Sequence, residues 1–288
     1  MKRLRFLKMM LADSQRAVLP APHQPHPRDW PDDRLTASWL GHSTVLVNFF
    51  GVNIVTDPVF FDRCGIRLPP LTIGPKRYIA CALRPAELPR IDLVLISHAH
   101  FDHLDLRSLR LLARDAVAVT ARHTADILRR LPFRQVIEIG WDESREVETA
   151  RGPVTIAAYQ LRHWGARLQH DDYRQYNAYV LERGGKRLAY FGDTARTPAQ
   201  RLGSRGPIDL AIAPIGAYQP WIHAHCNPEE AVAMANEAGA HSVMPVHHQT
   251  FKLSWEPMDE PIQRFTKALQ KTPERIALKE IGQTFVLP

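Results

Sequence analysis

Four side chains that commonly bind metal ions fall close together in the sequence. His98, His100, Asp102 and His103 directly follow the apolar run Ile91–Ile96, which is typical of a buried strand. If the chain leaves that strand in an extended turn, alternate side chains share a face, so His98 and His100 point the same way. Imidazole and carboxylate are ligands that zinc accepts, and a hydrolytic site keeps positions open for water and substrate. The spacing therefore predicts a metal site at the end of a buried strand.

One turn cannot complete two metal sites, so further ligands are expected at the ends of later strands. His163 lies just beyond the strand-like run Val154–Ala158, Asp193 ends an apolar run, and His247 directly follows another. Taken singly, each residue is as easily explained as a structural partner of a buried polar group as it is as a metal ligand. Taken together, they predict two ligand sets: His98, His100 and His163 for one metal, and Asp102, His103 and His247 for the other, with Asp193 between them. His248 is the alternative to His247.

These side chains need a scaffold, and short strand-like and helix-like runs alternate along both halves of the chain. Strands are predicted at Ala37–Leu40, Thr44–Phe49, Val52–Thr56, Ile91–Ile96, Val117–Thr120, Val154–Ala158, Asn177–Leu181, Arg187–Phe191, Leu210–Ala213 and Ser242–Val246. Helices are predicted at Leu104–Arg114, Thr124–Leu131, Pro228–Ala238 and Glu260–Leu269. The segment Phe60–Pro89 is polar and rich in proline, which predicts a long irregular loop with a functional role. Strands and helices in both halves imply two packed sheets with helices outside, one four-layer α/β domain.

The N-terminal segment has a different composition from the rest of the chain. Residues 1–34 are rich in proline, histidine and charge, which predicts an extended lead-in before one folded domain over residues 35–288. Lys8 interrupts the first apolar run and no cleavage site follows, so a secretory signal is not predicted. We expect a solvated tail here, and a short basic amphipathic helix at an anionic membrane is the alternative.

Charge and cysteine content restrict the compartment and the partners. The net charge of +7 favours anionic substrates such as phosphate esters, nucleic acid or a lipid surface. No basic run interleaved with aromatic residues indicates a nucleic-acid groove, so no nucleic-acid partner is expected. Cys64, Cys81 and Cys226 are widely spaced and odd in number, which favours a reducing cytoplasm over a disulfide framework. A cytoplasmic location is expected, with peripheral contact to the inner membrane as an alternative, and nothing in the sequence indicates an oligomeric state.

The His-x-His-x-Asp-His motif, with a later His, Asp and His, resembles the metallo-β-lactamase superfamily. Further segments resemble the branch that contains N-acylphosphatidylethanolamine-hydrolysing phospholipase D and its bacterial relatives. These segments are Trp39–Thr44, Thr56–Phe60, Gly74–Arg77, Phe191–Thr194, Pro214–Tyr218, Asn227–Ala231 and the His-x-x-Thr-Phe motif that ends at Phe251. The metal motif is common to the superfamily, whereas the combination of the other segments is selective for this branch. The resemblance runs from about residue 35 to the C-terminus.

The resemblance implies a metallo-β-lactamase-type αβ/βα four-layer sandwich and a hydrolase domain over residues 35–288. It implies two Zn²⁺ ions, which iron or manganese could replace, and hydrolysis of a phosphodiester by a metal-bridging hydroxide. The seven residues named above inherit the ligand roles. Catalytic roles fall to Asp102, Asp193 and His225. His225 would orient substrate or protonate the leaving oxygen, or else pair with a buried polar group.

A small-molecule or phospholipid substrate follows from the same resemblance. The apolar loop Arg67–Ile73 suits an acyl chain, or it packs on its own domain. Asp57 and His42 are expected to orient ligands through hydrogen bonds, and Asp105 is expected to cap the helix that follows it.

Other functions remain compatible with the same metal site. A lactonase or another ester or amide hydrolase is the main alternative, because fold and metals do not fix a substrate. A β-lactamase is disfavoured because the selective segments point to another branch, and a ribonuclease because a basic RNA-binding element is not found. A catalytically silent metal-binding sensor is the alternative outside enzymes, and the complete ligand set argues against it.

Overall fold

The computed structural model describes residues 15–168 and 170–288. Seven of the short apolar runs pair into one mixed sheet. In spatial order its strands are β15 (Thr284–Val286), β1 (Leu35–Gly41), β2 (Thr44–Phe49), β3 (Val52–Thr56), β6 (Leu93–Ile96), β7 (Val117–Ala121) and β8 (Gln135–Ile139). Strands β3, β6, β7 and β8 run parallel, and the antiparallel meander of β1 to β3 continues them on one side.

The second half of the chain forms a second sheet of six strands. Their spatial order is β14 (Ala240–Val246), β13 (Ile208–Pro214), β12 (Lys186–Tyr190), β11 (Ala178–Arg183), β10 (Gly152–Tyr159) and β9 (Ser144–Thr149). Strands β12, β13 and β14 are parallel to one another. Because β11 is antiparallel to both β10 and β12, β10 also runs in their direction. The carboxyl ends of four strands therefore lie at one edge of this sheet.

The main hydrophobic core lies between the two sheets. Along β11, Tyr179 and Leu181 contribute to this core, whereas Ala178 and Val180 belong to a second core on the opposite face. Successive strand side chains point to opposite faces, so a sheet buried on both sides needs apolar residues in both registers. Such continuous apolar runs were the sequence signal for these strands.

Helices cover the outside of the sheets. They are α1 (Leu106–Leu112), α2 (Ala125–Leu128), α3 (Pro228–Glu237) and α4 (Glu260–Ala268). Helix α3 packs on β13, β14 and α4, and α2 packs on β8. The result is the predicted four-layer α/β sandwich.

Two of these helices begin where side chains cap them. Asp105 accepts a hydrogen bond from the Ser108 amide, 3.3 Å away, so its expected capping role is confirmed. At α3, Asn227 and Glu230 exchange side-chain-to-backbone hydrogen bonds of 2.9 and 3.0 Å, with Pro228 in the first turn. These caps fix the two helix starts that follow the candidate site residues His103 and His225.

The prediction that Phe60–Pro89 is irregular throughout was wrong. This segment contains a β-hairpin, β4 (Ile66–Leu68) with β5 (Leu71–Ile73), and a short 3₁₀ helix at Pro85–Glu87. Two three-residue strands joined at a Pro-Pro pair are too short to give an alternating pattern over the usual window. Their apolar side chains are also exposed, so no burial signal marks them.

Three further strands, β8, β9 and β15, were not predicted. Each is the edge strand of its sheet. Strand β9 buries only Val147 and Thr149, because one of its sides has no neighbouring strand and its faces are largely solvated. Edge strands can be short and polar, and such sequences carry little strand signal.

Residues 15–34 are described as a largely extended segment. It contains the short 3₁₀ helix Pro27–Asp29 and touches the domain through a bridge between Leu19 and Ile79. The tail or amphipathic helix expected at residues 1–11 lies outside the described residues. The boundary after residue 34 between an N-terminal lead-in and the folded domain stays a prediction. No helix within 15–168 and 170–288 is both long enough and apolar enough to cross a bilayer.

Candidate metal centre

Four separate stretches of chain meet where parallel strands of both sheets end. The turn that carries His98 to His103 follows β6 and is closed by the Leu104 amide, which donates to the His100 carbonyl at 2.8 Å. His163 comes shortly after β10, Asp193 shortly after β12, and His247 directly after β14. The carboxyl ends of parallel strands therefore bring the residues to one edge of the sandwich.

One group of ring nitrogens contains His98, His100 and His163. Nε2 of His98 lies 2.8 Å from Nδ1 of His100, and Nε2 of His163 lies 3.4 Å from the same Nδ1. All three are candidate ligand atoms for a single ion. The grouping is the one predicted for the first metal.

A second group contains His42, Asp102, His103 and His247. Oδ2 of Asp102 lies 3.6 Å from Nε2 of both His103 and His247, and 3.0 Å from Nε2 of His42. Three of these residues are those predicted for the second metal. His42 was expected as a support, and its contact with Asp102 fits that role.

Asp193 lies between the two groups. Its Oδ2 is 3.1 Å from Nε2 of His103 and 3.2 Å from Nε2 of His247. The same oxygen is 3.8 Å from Nε2 of His163, in the other group. One carboxylate therefore reaches both ligand groups, as the prediction of a bridging residue requires.

The buried carboxylate of Asp57 orients two of the candidate ligands, His98 and His103, through hydrogen bonds. It accepts hydrogen bonds from Nδ1 of His103 at 2.6 Å, from the Ser97 amide at 2.7 Å and from the Tyr190 hydroxyl. The Ser97 hydroxyl also donates to Asp57, and Nδ1 of His98 lies 2.8 Å from that hydroxyl. A hydrogen bond at Nδ1 fixes the tautomer that leaves Nε2 free to face an ion. Asp57 thus sets the ring orientation of His103 directly and that of His98 through Ser97.

Two contacts hold the remaining loops against this turn. Nδ1 of His163 lies 2.9 Å from the carbonyl of Ala224, which again leaves Nε2 facing the cluster. Arg167 donates to the carbonyls of Ala99 and Leu104 at 2.9 and 2.8 Å, and its guanidinium lies over the Phe101 ring. Arg167 therefore ties the segment after β10 to both sides of the His98–His103 turn.

His247 occupies a sparsely populated backbone conformation. Its φ angle is 64°, in the left-handed region that residues other than glycine seldom adopt. The His247 amide donates to the carbonyl of His42 at 3.0 Å. A Cβ at Gly216 would lie 2.2 Å from the His247 carbonyl oxygen, so only glycine allows this approach. Strain of this kind persists where the surroundings hold it, which is common at functional sites.

The electrostatics of the two groups differ. Burial lowers the pKa of His100 to about 3 and that of His163 to about 4, so these imidazoles are neutral at neutral pH, as metal ligands are. Burial also opposes charge on His247, but Asp193 and Asp102 outweigh it and raise the pKa of that ring to about 9. Asp102 and Asp193 therefore favour a positive charge within the second group.

The donor set fits bound metal ions. Nδ1 of His247 and Oδ1 of Asp193 are buried and have no hydrogen-bond partner in the described part of the chain, and Nε2 of His103 and of His247 face only the carboxylates of Asp102 and Asp193, at 3.1 to 3.6 Å. Buried polar atoms are normally paired, so this concentration of unpaired atoms at one point needs an explanation. Nitrogen and carboxylate ligands gathered in this way are the donors that bound divalent metal ions require.

His225 and two tryptophans line the open side of the cluster. Nδ1 of His225 is buried, lies 3.8 Å from Oδ2 of Asp193, and hydrogen-bonds to none of the residues described. A cavity of about 240 Å³ lies over the cluster, lined by His100, Asp102, Trp164, Asp193, Ala217, Trp221, His225 and Leu253. A second cavity of about 600 Å³ shares His100, Asp102, Trp164 and Leu253 with it and is otherwise mostly apolar. Substrate atoms in these cavities would touch both ligand groups.

All eight predicted site residues lie at this cluster. Within the described ranges, His248 does not join it, because its ring stacks on Trp39 with the centroids 4.4 Å apart. Sequence reasoning missed Tyr190 and Arg167, which act through hydrogen bonds to residues distant in sequence, and it missed Trp164 and Trp221 at the rim. A lone arginine or tryptophan carries no local motif, although Trp164 directly follows His163.

Residues 52–248 match the family described as the β-lactamase superfamily domain. An uncharacterised protein of Mycobacterium tuberculosis is 32% identical over 267 residues, which cover 87% of this chain and 68% of that protein. N-acyl-phosphatidylethanolamine-hydrolyzing phospholipase D 1 of Caenorhabditis elegans is 32% identical over 242 residues, which cover 76% of this chain and 65% of that protein. The chain therefore spans about two thirds of the length of these relatives.

Solved structures show the same fold. Igni18, a metallo hydrolase from the archaeon Ignicoccus hospitalis, superimposes with a TM-score of 0.66 at 22% sequence identity. The superposition covers 88% of this chain and 98% of that one.

Proposed function

The chain belongs to the β-lactamase superfamily as a metal-dependent hydrolase, and from this premise we propose that it is a dinuclear zinc phosphodiesterase of the N-acylphosphatidylethanolamine phospholipase D type. One observation carries the proposal. Asp193 contacts both ligand groups and lines the smaller cavity, which shares His100, Asp102, Trp164 and Leu253 with the larger, mostly apolar cavity. A phospholipid fits this arrangement, because its phosphodiester can lie beside Asp193 in the smaller cavity and its acyl chains along the apolar walls of the larger one.

The residues that would hold the metals follow from the two groups. His98, His100 and His163 would hold one ion, Asp102, His103 and His247 the other, and Asp193 would contact both. When bound, such a pair lowers the pKa of water and stabilises negative charge on a phosphoryl group. Asp57 and the Ala224 carbonyl hold the rings in the orientation that this binding needs.

His225 is the protein group proposed to contact the leaving oxygen. Its ring lines the smaller cavity beside Asp193, and its centroid lies 5.1 Å from that of His163 and 5.4 Å from that of His247. In hydrolysis of the D type, the bond between phosphorus and the head-group oxygen breaks. Water supplies a hydroxyl to phosphorus and a proton to that oxygen, giving a phosphatidic acid and a free N-acylethanolamine. A hydrogen bond from His225 to the departing oxygen would orient it for this proton transfer.

Product analysis on a substrate panel tests the proposal. The purified 288-residue chain, with its metal content measured, is offered N-acylphosphatidylethanolamine, phosphatidylcholine, bis(p-nitrophenyl) phosphate, a cyclic nucleotide and lactones. We expect phosphatidic acid and N-acylethanolamine from the first substrate, close to two metals per chain, and loss of turnover with a chelator. Asp193→Ala should abolish turnover, and Asp33→Asn, at an exposed carboxylate, should retain it.

Three outcomes would contradict the proposal in different ways. Turnover of lactones without turnover of any phosphodiester would favour the lactonase alternative on the same residues. Bound metal with no turnover of any substrate would favour a sensor. Equal activity of Asp193→Ala and the wild type would remove the cluster from the reaction.

A further inference from the structure

The β4–β5 hairpin presents an unusual apolar face. Ile66 pairs with Ile73 and Leu68 with Leu71, so these four side chains lie on one face of the hairpin. Their exposed fractions are 51%, 57%, 56% and 66%, respectively. Single exposed aliphatic residues are ordinary, whereas four in one continuous patch indicate a surface that another apolar body covers.

The opposite face of the hairpin holds it in place. Arg67 and Thr72 form the cross-strand pair on that face, and Arg107 of α1 donates to the Thr72 hydroxyl at 3.1 Å. At the base of the hairpin, a Cβ on Gly74 would lie 1.8 Å from the carbonyl oxygen of Cys64. The backbone that enters the hairpin and the backbone that leaves it are therefore in direct contact. The polar face is therefore attached to the domain, and the apolar face is directed away from that attachment.

The apolar face continues into the cavity above the metal centre. Ile66 and Ile73 line the larger cavity together with Phe101, Leu168 and Leu253, and His100 and Asp102 form part of its floor. Trp164 and Trp221 are 43% and 40% exposed and stand beside the smaller cavity. Aromatic side chains with one apolar and one wet end suit the interface between lipid and water.

The charge around the hairpin favours a phosphate-bearing partner. Residues 63–76 contain Arg63, Arg67 and Lys76 and no acidic residue. Basic residues that flank an inserted apolar segment add attraction to anionic lipid head groups. A second copy of the chain is a poorer occupant, because it would carry the same positive charge and would cover the cavity mouth.

We propose that the apolar face of the β4–β5 hairpin inserts into the surface of a phospholipid bilayer and places the mouth of the cavity against the lipid layer. The identity of the lipid that then enters the cavity rests on the proposed function. The docking itself depends only on the four aliphatic side chains and the flanking cations. A lipid can reach the metal centre in this arrangement without its acyl chains crossing water.

Vesicle binding by the 288-residue chain tests the docking. Sucrose-loaded vesicles of phosphatidylethanolamine and phosphatidylglycerol are sedimented with the wild type and with the double variant Leu68→Ser/Leu71→Ser. Replacing two exposed leucines that the bilayer would cover should lower the partition coefficient roughly 10- to 100-fold. The matched control, Leu111→Ser/Val286→Ser, changes two side chains that are 55% and 45% exposed outside the hairpin, and should bind as the wild type does. Metal content and the thermal unfolding midpoint check that each variant is folded.

The outcomes separate the docking from the reaction. Vesicle binding through the hairpin without phospholipid hydrolysis would leave the docking intact and contradict the proposed function. Hydrolysis of dispersed phospholipid, with equal vesicle binding by the wild type and the hairpin variant, would overturn the docking alone. A dimer in sedimentation velocity that the hairpin variant dissociates, with vesicle binding unchanged, would assign the face to a second copy of the chain.

Discussion

Asp57 accepts a hydrogen bond from Nδ1 of His103 at 2.6 Å, although 46 positions separate the two residues in sequence. Both side chains are fully buried. The pairing connects the start of the loop after β3 to the turn after β6, and these two strands are parallel neighbours. The neighbouring strands thus place a carboxylate directly behind a candidate ligand.

Replacing Asp57 tests whether this carboxylate organises the metal centre. The Asp57 carboxylate accepts hydrogen bonds from four donor groups, and Asp57→Asn leaves only one acceptor oxygen for them. The ring of His103 then loses its fixed orientation, as does the ring of His98, which Asp57 holds through Ser97. We expect metal affinity to fall about 10- to 100-fold. The measurement is a competitive titration against a coloured chelator, with the exposed Asp33→Asn as control. An affinity equal to that of the wild type would show that Asp57 has only a structural role.

Because Gly216 packs directly against the His247 carbonyl, adding one methyl group at residue 216 should disturb the metal centre at His247. Gly216→Ala would place a Cβ against the His247 carbonyl, and the strained backbone of His247 has to move. We expect the second metal to be lost or weakened and the free energy of unfolding to fall by about 1–3 kcal/mol. Metal stoichiometry and urea unfolding measure the two effects. Gly140→Ala, where the nearest atoms belong to the Arg122 side chain, is the control, and equal losses in both variants would refute the prediction.

Arg167 is expected to stabilise the turn between β6 and α1. Arg167→Met keeps much of the stem but removes two hydrogen bonds to the carbonyls of Ala99 and Leu104. Hydrogen bonds from a charged donor contribute about 1.5–3 kcal/mol each, so a loss of that order is expected together with weaker metal binding. Thermal unfolding with and without metal checks this. Arg114→Met, at an exposed position, should change neither quantity.

The ion pairs of Arg174 with Asp171 and Asp126 should make a pH-dependent contribution to the free energy of unfolding. It donates to Asp171 at 2.7 Å and to both carboxylate oxygens of Asp126, and its hydrogen bonds lower the pKa of both carboxyl groups below the ordinary value of 3.8. A depressed carboxyl pKa stabilises the folded state above the unfolded pKa and ceases to do so as the pH falls through the folded pKa. The destabilisation by Arg174→Met should therefore be full at neutral pH and shrink below about pH 3.8. Urea unfolding of the metal-free protein across that range measures it, and a difference that does not change with pH would refute the ion-pair account.

Much of the fold was predictable because both sheets are buried on both faces. Strands β2 and β3 were placed to the residue, since their apolar side chains are continuous and glycine turns bound them. The β4–β5 hairpin was missed for the opposite reason, as its apolar side chains face outward and its strands are three residues long. Burial produces the pattern that sequence reasoning detects, and an exposed apolar surface does not.

The candidate site was predictable to the extent that its members follow strands. His163, Asp193 and His247 come after predicted strands, and parallel strand ends meet at one edge of a sheet. The choice between His247 and His248 could not be made from spacing, because it depends on one residue adopting a left-handed backbone conformation. The roles of Tyr190 and Arg167 depend on contacts across the sandwich, which no local pattern encodes.

The most direct measurement is anomalous X-ray diffraction at the zinc absorption edge from crystals of the purified protein. The account predicts two peaks, one among His98, His100 and His163 and one among Asp102, His103 and His247, with Asp193 in contact with both. A map without a peak at these residues, or with the metal bound elsewhere in the molecule, would contradict it.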